Sequence, residues 1–127
     1  MSVPKIPVDQ AEPRTELALV FPILSGMAEE VERLAAELTG PKAEEFGRSQ
    51  RGIGIRGESW FLNKTPQGDS VTVYLEGEDL LRSLRSLIAS ETPTDRWLKS
   101  EVKRVTGVDF GSSPQLSLPR RILRYPS

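Results

Sequence analysis

The stretch from residue 53 to residue 77, IGIRGESWFLNKTPQGDSVTVYLEG, decides the fold of this chain. It holds two runs rich in β-branched and aromatic residues, which are the residue types that favour strands. Pro66, Gly68 and Asp69 lie between the runs and supply the chemistry of a turn. Two such runs around a short turn predict a β-hairpin. We therefore place an antiparallel strand pair at the centre of the chain.

Upstream of the hairpin, the sequence predicts one strand and an interrupted helix. The segment ELALVFPIL, residues 16–24, is apolar at alternate and at most intervening positions, which predicts a strand buried on both faces that ends near Pro22. From Met27 to Leu38, apolar residues recur at helical spacing with acidic residues between them. Pro41 can begin a second helical piece that continues to Phe46.

Downstream, two more helices and a last strand are expected. Leucine and isoleucine form a helical stripe from Leu80 to Ile88. Thr92-Pro93 is typical of a helix N-terminus, and Gly107 of the end of the same helix. Leu116 and Leu118 predict a short strand, which Pro119 would confine to a sheet edge.

The predicted element order is β-α-β-β-α-β. This order is that of the ferredoxin-like α+β fold, an antiparallel sheet with its helices on one face. We assign residues 16–127 to one such domain, since 127 residues bury a single core. Residues 1–15 contain Pro4, Pro7 and Pro13 and are predicted to form an extended or mobile N-terminal arm.

Composition excludes several classes of function. The chain has 17 basic and 18 acidic residues, so we expect no general attraction to nucleic acid or to a membrane surface. It has no cysteine and no histidine, which removes disulfides, thiolate catalysis, the Ser-His-Asp triad and most zinc sites. We expect no cofactor and no metal. With neither a spanning segment nor a signal peptide in the sequence, we predict a cytoplasmic protein.

Gly52, Gly54 and Gly57 match the dinucleotide-binding pattern G-x-G-x-x-G. That pattern binds pyrophosphate when a strand delivers the glycines to the N-terminus of a helix. Here the predicted order is reversed, because the glycines follow a helix and lead into a strand. We therefore interpret them as marks of a bulge, a bend or a close backbone approach.

Alternation in the hairpin separates two predicted faces. Val71, Val73 and Leu75 form an aliphatic face suited to pack under the helices. The other face is predicted to carry five larger or charged side chains, namely Arg56, Glu58, Trp60, Tyr74 and Glu76. With helices on one side only, this second face is expected to be covered by another subunit or by a ligand.

Three segments carry a resemblance to a known group of proteins: GESWFLNKTPQGDSVTVYLEGED (57–79), TDRWLKSEVKRVTGVDF (94–110) and SSPQLSLPRR (112–121). On these segments the chain resembles the dimeric α/β-barrel superfamily, and more narrowly a small uncharacterised bacterial family within it. The resemblance implies a homodimer of face-to-face sheets, with a cavity between sheet and helices. Members include cofactor-independent monooxygenases, haem-modifying enzymes, isomerases and ligand-binding proteins. Without histidine, this chain departs from those that hold haem through that residue.

Five residues are candidates for a ligand site: Arg56, Glu58, Trp60, Tyr74 and Trp97. Arg56 could fix a carboxylate or phenolate while the aromatic rings stack a planar ligand. Alternatively, Arg56 and Glu58 pair with neighbours and the aromatic residues bury dimer surface, which we favour because interfaces are rich in Arg, Trp and Tyr. Trp97 is most simply an anchor of its helix, and a cavity wall is the alternative.

Two charged clusters have simpler explanations than a site. Glu76, Glu78 and Asp79 could hold a cation or supply a base, but their place before a helix favours capping. The tail arginines, Arg120, Arg121 and Arg124, are interpreted as solvated or salt-bridged rather than bound to RNA.

The sequence thus predicts a homodimer with a cavity for a small aromatic or hydrophobic ligand. One alternative is a cofactor-independent monooxygenase or isomerase, with Arg56 stabilising negative charge and Glu58 or Tyr74 moving a proton. The other is a purely structural dimerisation module. No catalytic residue is assigned.

Overall fold

A computed structural model describes residues 14–110 and 118–126. These residues form an α+β fold in which a three-stranded antiparallel sheet is combined with four helices. In chain order the elements are β1 (Glu16–Pro22), α1 (Ala28–Thr39), α2 (Ala43–Gly52), β2 (Ile55–Thr65), β3 (Gly68–Gly77), α3 (Leu80–Ala89) and α4 (Pro93–Thr106). The predicted α+β class and the central hairpin are confirmed.

The strand order in the sheet is β1-β3-β2, and both outer strands run antiparallel to β3. A ferredoxin-like sheet has a fourth strand, which the sequence placed at Leu116 and Leu118. Leu116 lies outside the described residues, and Leu118 belongs to no strand. Because the described part of the chain holds three strands, the ferredoxin-like order is not confirmed.

The helices pack on one face of the sheet. Leu17 and Leu19 of β1 and Val73 of β3 are buried there, in one cluster with residues of α1, α3 and α4 such as Leu34. On the opposite face Val20 is 65% exposed. The expectation that β1 is buried on both faces is therefore wrong, because no layer among the described residues covers its second side.

A β-bulge interrupts the start of β2. Ile55 pairs with Gly77 and Gly57 pairs with Glu76, so Arg56 is an extra residue without a partner on β3. Side chains alternate between the two faces of a strand. One extra residue therefore moves every side chain beyond it to the face opposite to the one that simple alternation predicts.

Beyond the bulge, Glu58 lies opposite Leu75 and Trp60 opposite Val73, on the face that packs against the helices. Our expectation that Glu58 and Trp60 share the open face with Tyr74 is wrong for this reason. Tyr74 is on the open face, as predicted.

Two of the glycines make this bulge region compact. Gly54 turns the chain from α2 into β2 with a φ of +84°, a conformation that residues with a side chain rarely adopt. At Gly77, a Cβ would lie 2.5 Å from the Gly54 carbonyl oxygen. Within the glycine pattern, Gly54 therefore serves a turn and Gly57 lies at a bulge, as the sequence indicated, whereas the close backbone approach is at Gly77, outside the pattern.

The helices begin and end close to the predicted positions. Thr92 caps α4 through a hydrogen bond from the Asp95 backbone N–H, and Gly107 ends this helix with a φ of +79°. The second helical piece is longer than predicted, since α2 continues to Gly52. In the part of the chain that the structure describes, no helix has the length and apolar character needed to cross a membrane.

Only the last two residues of the predicted N-terminal arm, Arg14 and Thr15, are among the described residues. Residues 1–13 lie outside the described residues. Arg14 and Thr15 are joined to the domain, because their carbonyl oxygens accept hydrogen bonds from Leu80 and Gly77 at 2.8 and 3.1 Å. Arg14 is also 6% exposed, so it is part of the folded domain.

Candidate functional site

A cavity of about 70 Å³ lies between the sheet and the helices. Most of its wall is aliphatic or aromatic, and it is contributed by all three strands together with α1, α3 and α4. Its polar groups belong to Gln50, Glu58, Trp60, Lys99 and Thr106. A concave, mainly apolar space with a few polar groups is the usual form of a small-molecule site.

Glu58 is the acidic residue of this cavity wall. Its Oε1 accepts a hydrogen bond from Gln50 Nε2 at 2.6 Å, and its Oε2 accepts one from Trp60 Nε1 at 2.6 Å. Both donors are neutral, and in residues 14–110 and 118–126 no basic side chain forms an ion pair with Glu58. The carboxylate is thus oriented by its neighbours but not neutralised by them.

Local chain geometry brings these three side chains together. Gln50 is in the last turn of α2, and the turn at Gly54 reverses the chain so that β2 packs beside that helix. Glu58 and Trp60 are two residues apart on one strand, so their side chains lie on the same face. The bulge at Arg56 makes that face the cavity side.

Burial raises the pKa of the Glu58 carboxyl above its ordinary value of 4.5. The hydrogen bonds from Trp60 and Gln50 act in the opposite direction, because they stabilise the charged form. Burial is the larger effect. A carboxyl whose pKa is raised keeps its proton to a higher pH than a free glutamate does, which is the direction of change that general acid–base chemistry uses.

Lys99 also borders the cavity, but its ammonium group is engaged elsewhere. Its Nζ donates hydrogen bonds to the carbonyl oxygens of Ile88 and Ser90, at 2.9 and 2.7 Å. These carbonyls lie at the C-terminal end of α3, where a cation is favoured by the helix dipole. Lys99 therefore links α4 to the end of α3 through hydrogen bonds and is not a partner of Glu58.

The other predicted site residues are not brought together with Glu58 and Trp60. Arg56 is exposed at the bulge. Tyr74 lies on the open face, and Trp97 is absent from the cavity wall. Trp97 packs against the core, with Lys42 Nζ 4.5 Å from its ring centroid. Of the five predicted site residues, Glu58 and Trp60 thus lie together in the cavity wall. The other three lie at separate places: Arg56, Tyr74 and Trp97.

Tyr74 makes its own contact on the open face. Its hydroxyl donates to Glu16 Oε2 at 2.6 Å, and Arg121 Nη1 lies 3.4 Å from Glu16 Oε1. The hydrogen bond to Glu16 raises the pKa of Tyr74 to about 12 and lowers the pKa of Glu16. A phenol held in this way is a poor proton donor, which does not suit the predicted role of Tyr74 in proton transfer.

One of the three acidic residues before α3, Asp79, acts as the sequence favoured. Asp79 caps the helix, since its Oδ1 accepts from the Arg82 backbone N–H at 3.3 Å. Within the described ranges, no group of three acidic side chains is arranged to hold a metal ion.

Sequence reasoning missed Gln50 and Lys99 as neighbours of the cavity. Gln50 belongs to the part of α2 beyond the predicted end of the helix, so its side chain had no assigned surroundings. The available signal was Gly57, because a glycine near the start of a strand can mark a bulge and hence a change of face.

Comparisons of the chain with protein-family models, curated proteins and solved structures find no match. The site therefore has to be judged on its own chemistry. It can bind an apolar molecule, offer one carboxyl for hydrogen bonding, and exchange a proton with a bound molecule.

Proposed function

We propose that this protein binds a small, mainly apolar ligand in the cavity between the sheet and the helices, with Glu58 as its polar anchor. The observation that carries the proposal is the Glu58 carboxylate, held at 2.6 Å by two neutral donors in a mainly apolar wall. Burying a carboxylate without a cation is costly, so its presence there needs an explanation that packing alone does not offer.

The size of the cavity narrows the ligand class. An engineered apolar cavity of about 150 Å³ holds benzene. The cavity here is about 70 Å³, so it fits a compact aliphatic group better than an aromatic ring. A ligand of this class would place the O–H of an alcohol or the N–H of an amine against the Glu58 carboxylate, or a ketone oxygen against its protonated form.

Fluorescence of Trp60 gives a direct test, because its indole N–H is bonded to the Glu58 carboxylate. Trp97→Phe leaves Trp60 as the single tryptophan, since the chain has two. We would titrate this variant with 1-butanol, n-butylamine and cyclopentanone. We expect at least one probe to shift the Trp60 emission saturably, and Glu58→Gln to weaken that probe about tenfold, through loss of a hydrogen bond to a charged group.

The matched control is Glu76→Gln, which removes an exposed carboxylate on the opposite face of the sheet. It should leave the titration unchanged. If no probe saturates, or if Glu76→Gln has the same effect as Glu58→Gln, the cavity is only a packing space. The purely structural module would then be the better account.

The raised pKa of Glu58 favours a second candidate, an isomerase-like proton transfer at the same cavity. Glu58 would remove a proton from the carbon beside a ketone, and the same carboxyl would return a proton after exchange with solvent. Cyclopentanone in D₂O tests this by NMR. Deuterium incorporation that Glu58→Gln abolishes supports the enzyme, whereas binding without exchange supports the ligand-binding protein.

Arg56, the predicted stabiliser of negative charge, is exposed outside the cavity wall. The monooxygenase alternative therefore has less support than proton transfer.

Pairing of two copies through the open face of the sheet is also part of the proposal. Val20 is 65% and Phe61 is 56% exposed, and both lie beside Thr72 of the central strand. Two large apolar side chains on adjoining strands form a patch suited to a partner. A face-to-face dimer, with or without the fourth strand of a ferredoxin-like sheet, would cover it.

A further inference from the structure

A second concavity lies on the other side of the sheet from Glu58. It is a cleft of about 230 Å³ where the C-terminal tail passes the start of β1. Its wall consists of Arg14, Glu16, Leu17, Ala18, Tyr74, Pro119, Arg120 and Arg121. Three guanidinium groups and one carboxylate give this small volume an excess of two positive charges.

Arg14 is the unusual member of the cleft. It is 6% exposed, and its Nη2 donates to the Pro119 carbonyl oxygen at 3.0 Å. Its Nη1 is buried and has no hydrogen-bond partner among the residues that the structure describes. An unsatisfied donor on a buried charged group is rare in folded proteins, and an unseen water or ion is a common explanation.

The other two arginines differ in what they already bind. Arg121 is paired with Glu16, whose second oxygen is taken by the Tyr74 hydroxyl. Arg120 makes no hydrogen bond or ion pair with the described residues, although it lines the same cleft. The positive charge of Arg120 and the Nη1 donor of Arg14 are therefore both uncommitted.

We propose that this cleft binds the oxyanion of a small molecule, a carboxylate or a phosphate, through Arg14 Nη1 and Arg120. Guanidinium groups match the oxygens of both anions in geometry and charge. The Glu16 carboxylate, held by Arg121 and Tyr74, shows that the same wall already accommodates one oxyanion from the chain itself. Ala18 and Pro119 offer apolar surface to the remainder of the ligand.

This proposal is independent of the ligand proposed for Glu58, because the two sites lie on opposite faces of the sheet. The cleft lies on the same face of the sheet as the proposed dimer patch, further along β1. Ala18 of its wall is two residues from Val20, which is roughly 7 Å at the usual rise of a strand, and Glu16 is four residues away.

Backbone NMR of the full chain tests the proposal with inorganic phosphate and with benzoate as probes, against sodium chloride at equal ionic strength. We expect one or both anions to shift the Leu17, Ala18 and Tyr74 amides saturably. Arg120→Ala should weaken that binding about tenfold, since a charge-assisted contact is lost. This variant removes an exposed side chain and should not disturb the fold.

Arg85→Ala is the matched control, because Arg85 is an exposed arginine of α3 that is not part of the cleft wall. It should leave the affinity unchanged, as should Glu58→Gln. Saturation by phosphate alone assigns the site to phosphates, and saturation by benzoate alone assigns it to carboxylates. Shifts equal to those of sodium chloride, or equal losses in Arg120→Ala and Arg85→Ala, would overturn the proposal.

Discussion

At the scale of single residues, Glu58 is the group that we propose to anchor the ligand, and its charge lowers the stability of the fold. The hydrogen bonds from Gln50 and Trp60 stabilise the charged form of this carboxyl, whereas the loss of hydration destabilises it. The pKa is raised, so the loss of hydration has the larger effect. A glutamine of the same shape would remove the charge and one hydrogen-bond acceptor. The difference in unfolding free energy between the wild type and Glu58→Gln therefore measures what the charge costs at each pH.

We expect the stability of the wild type relative to Glu58→Gln to fall as pH rises above 4.5, the ordinary pKa of the group. Below that pH the carboxyl is protonated in both the folded and the unfolded chain, so no penalty exists. Above it the unfolded chain loses the proton first, and the free energy of unfolding decreases until the raised pKa is passed. Urea unfolding of both proteins from pH 4 to pH 8 measures this difference.

Gln50→Met provides the second comparison for this experiment. It removes a hydrogen bond that lowers the pKa of Glu58, so the loss of stability should extend to higher pH than in the wild type. Parallel stability profiles for the wild type and Glu58→Gln would contradict the assignment of a raised pKa.

Sequence alone identified Glu58 and Trp60 as residues of interest but placed them with the wrong neighbours. Large aromatic and charged side chains on a strand are visible in any sequence. The identity of the face is not visible, because it depends on counting residues from a buried position without an interruption. Arg14 had no signal either, since its hydrogen-bond partner Pro119 is 105 residues away.

At the scale of elements, the start of β2 and the end of β3 meet in a backbone contact that only glycine permits. Gly77→Ala would place a Cβ 2.5 Å from the Gly54 carbonyl oxygen and 2.9 Å from Leu80 Cδ2. Since one of these atoms is backbone, strand or turn must shift. We expect a loss of about 1–3 kcal/mol in the free energy of unfolding, the usual range for overpacking.

Gly52→Ala is the control for Gly77→Ala. No atom lies within 4 Å of a Cβ built at Gly52, which ends α2. Alanine is a better helix former than glycine by up to about 1 kcal/mol, so this change should be neutral or stabilising. Urea unfolding midpoints compare the two. Equal stability of Gly77→Ala and the wild type would show that the junction is not rigid.

The elements themselves were largely predictable from the sequence. Helical periodicity and capping residues placed α1, α3 and α4, because those signals are local. The extension of α2 to Gly52 was missed, since its last turns bury no residue fully and so leave a weak pattern. The bulge was missed as a change of face, although Gly57 was noted.

At the scale of the whole molecule, the sheet separates the two candidate sites and leaves an apolar patch at Val20 and Phe61. We expect the wild type to be a dimer by native mass spectrometry. Phe61→Lys should shift it to monomer, because it would place a charge in the proposed contact. Leu24→Lys is the control, since Leu24 is 45% exposed but lies outside the strands.

A monomeric wild type would remove the face-to-face dimer, and dissociation by Leu24→Lys as readily as by Phe61→Lys would place the contact elsewhere. The association of two copies was the least predictable feature from sequence, because it depends on which side chains lie on the open face after the bulge. Simple alternation from Arg56 would put Phe61 on the face that packs under the helices, and the structure places it on the open one.

The hydrogen bond from Arg14 to the Pro119 carbonyl oxygen has a topological consequence. It brings Arg14, just before β1, next to Pro119 in the C-terminal tail, so the backbone path between these two residues nearly closes a ring. New ends are tolerated best at exposed turns. The exposed turn at Pro66 and Gln67, between β2 and β3, meets that condition. A circular permutant opened there and joined across Arg14 and Pro119 by a short linker should keep the same sheet.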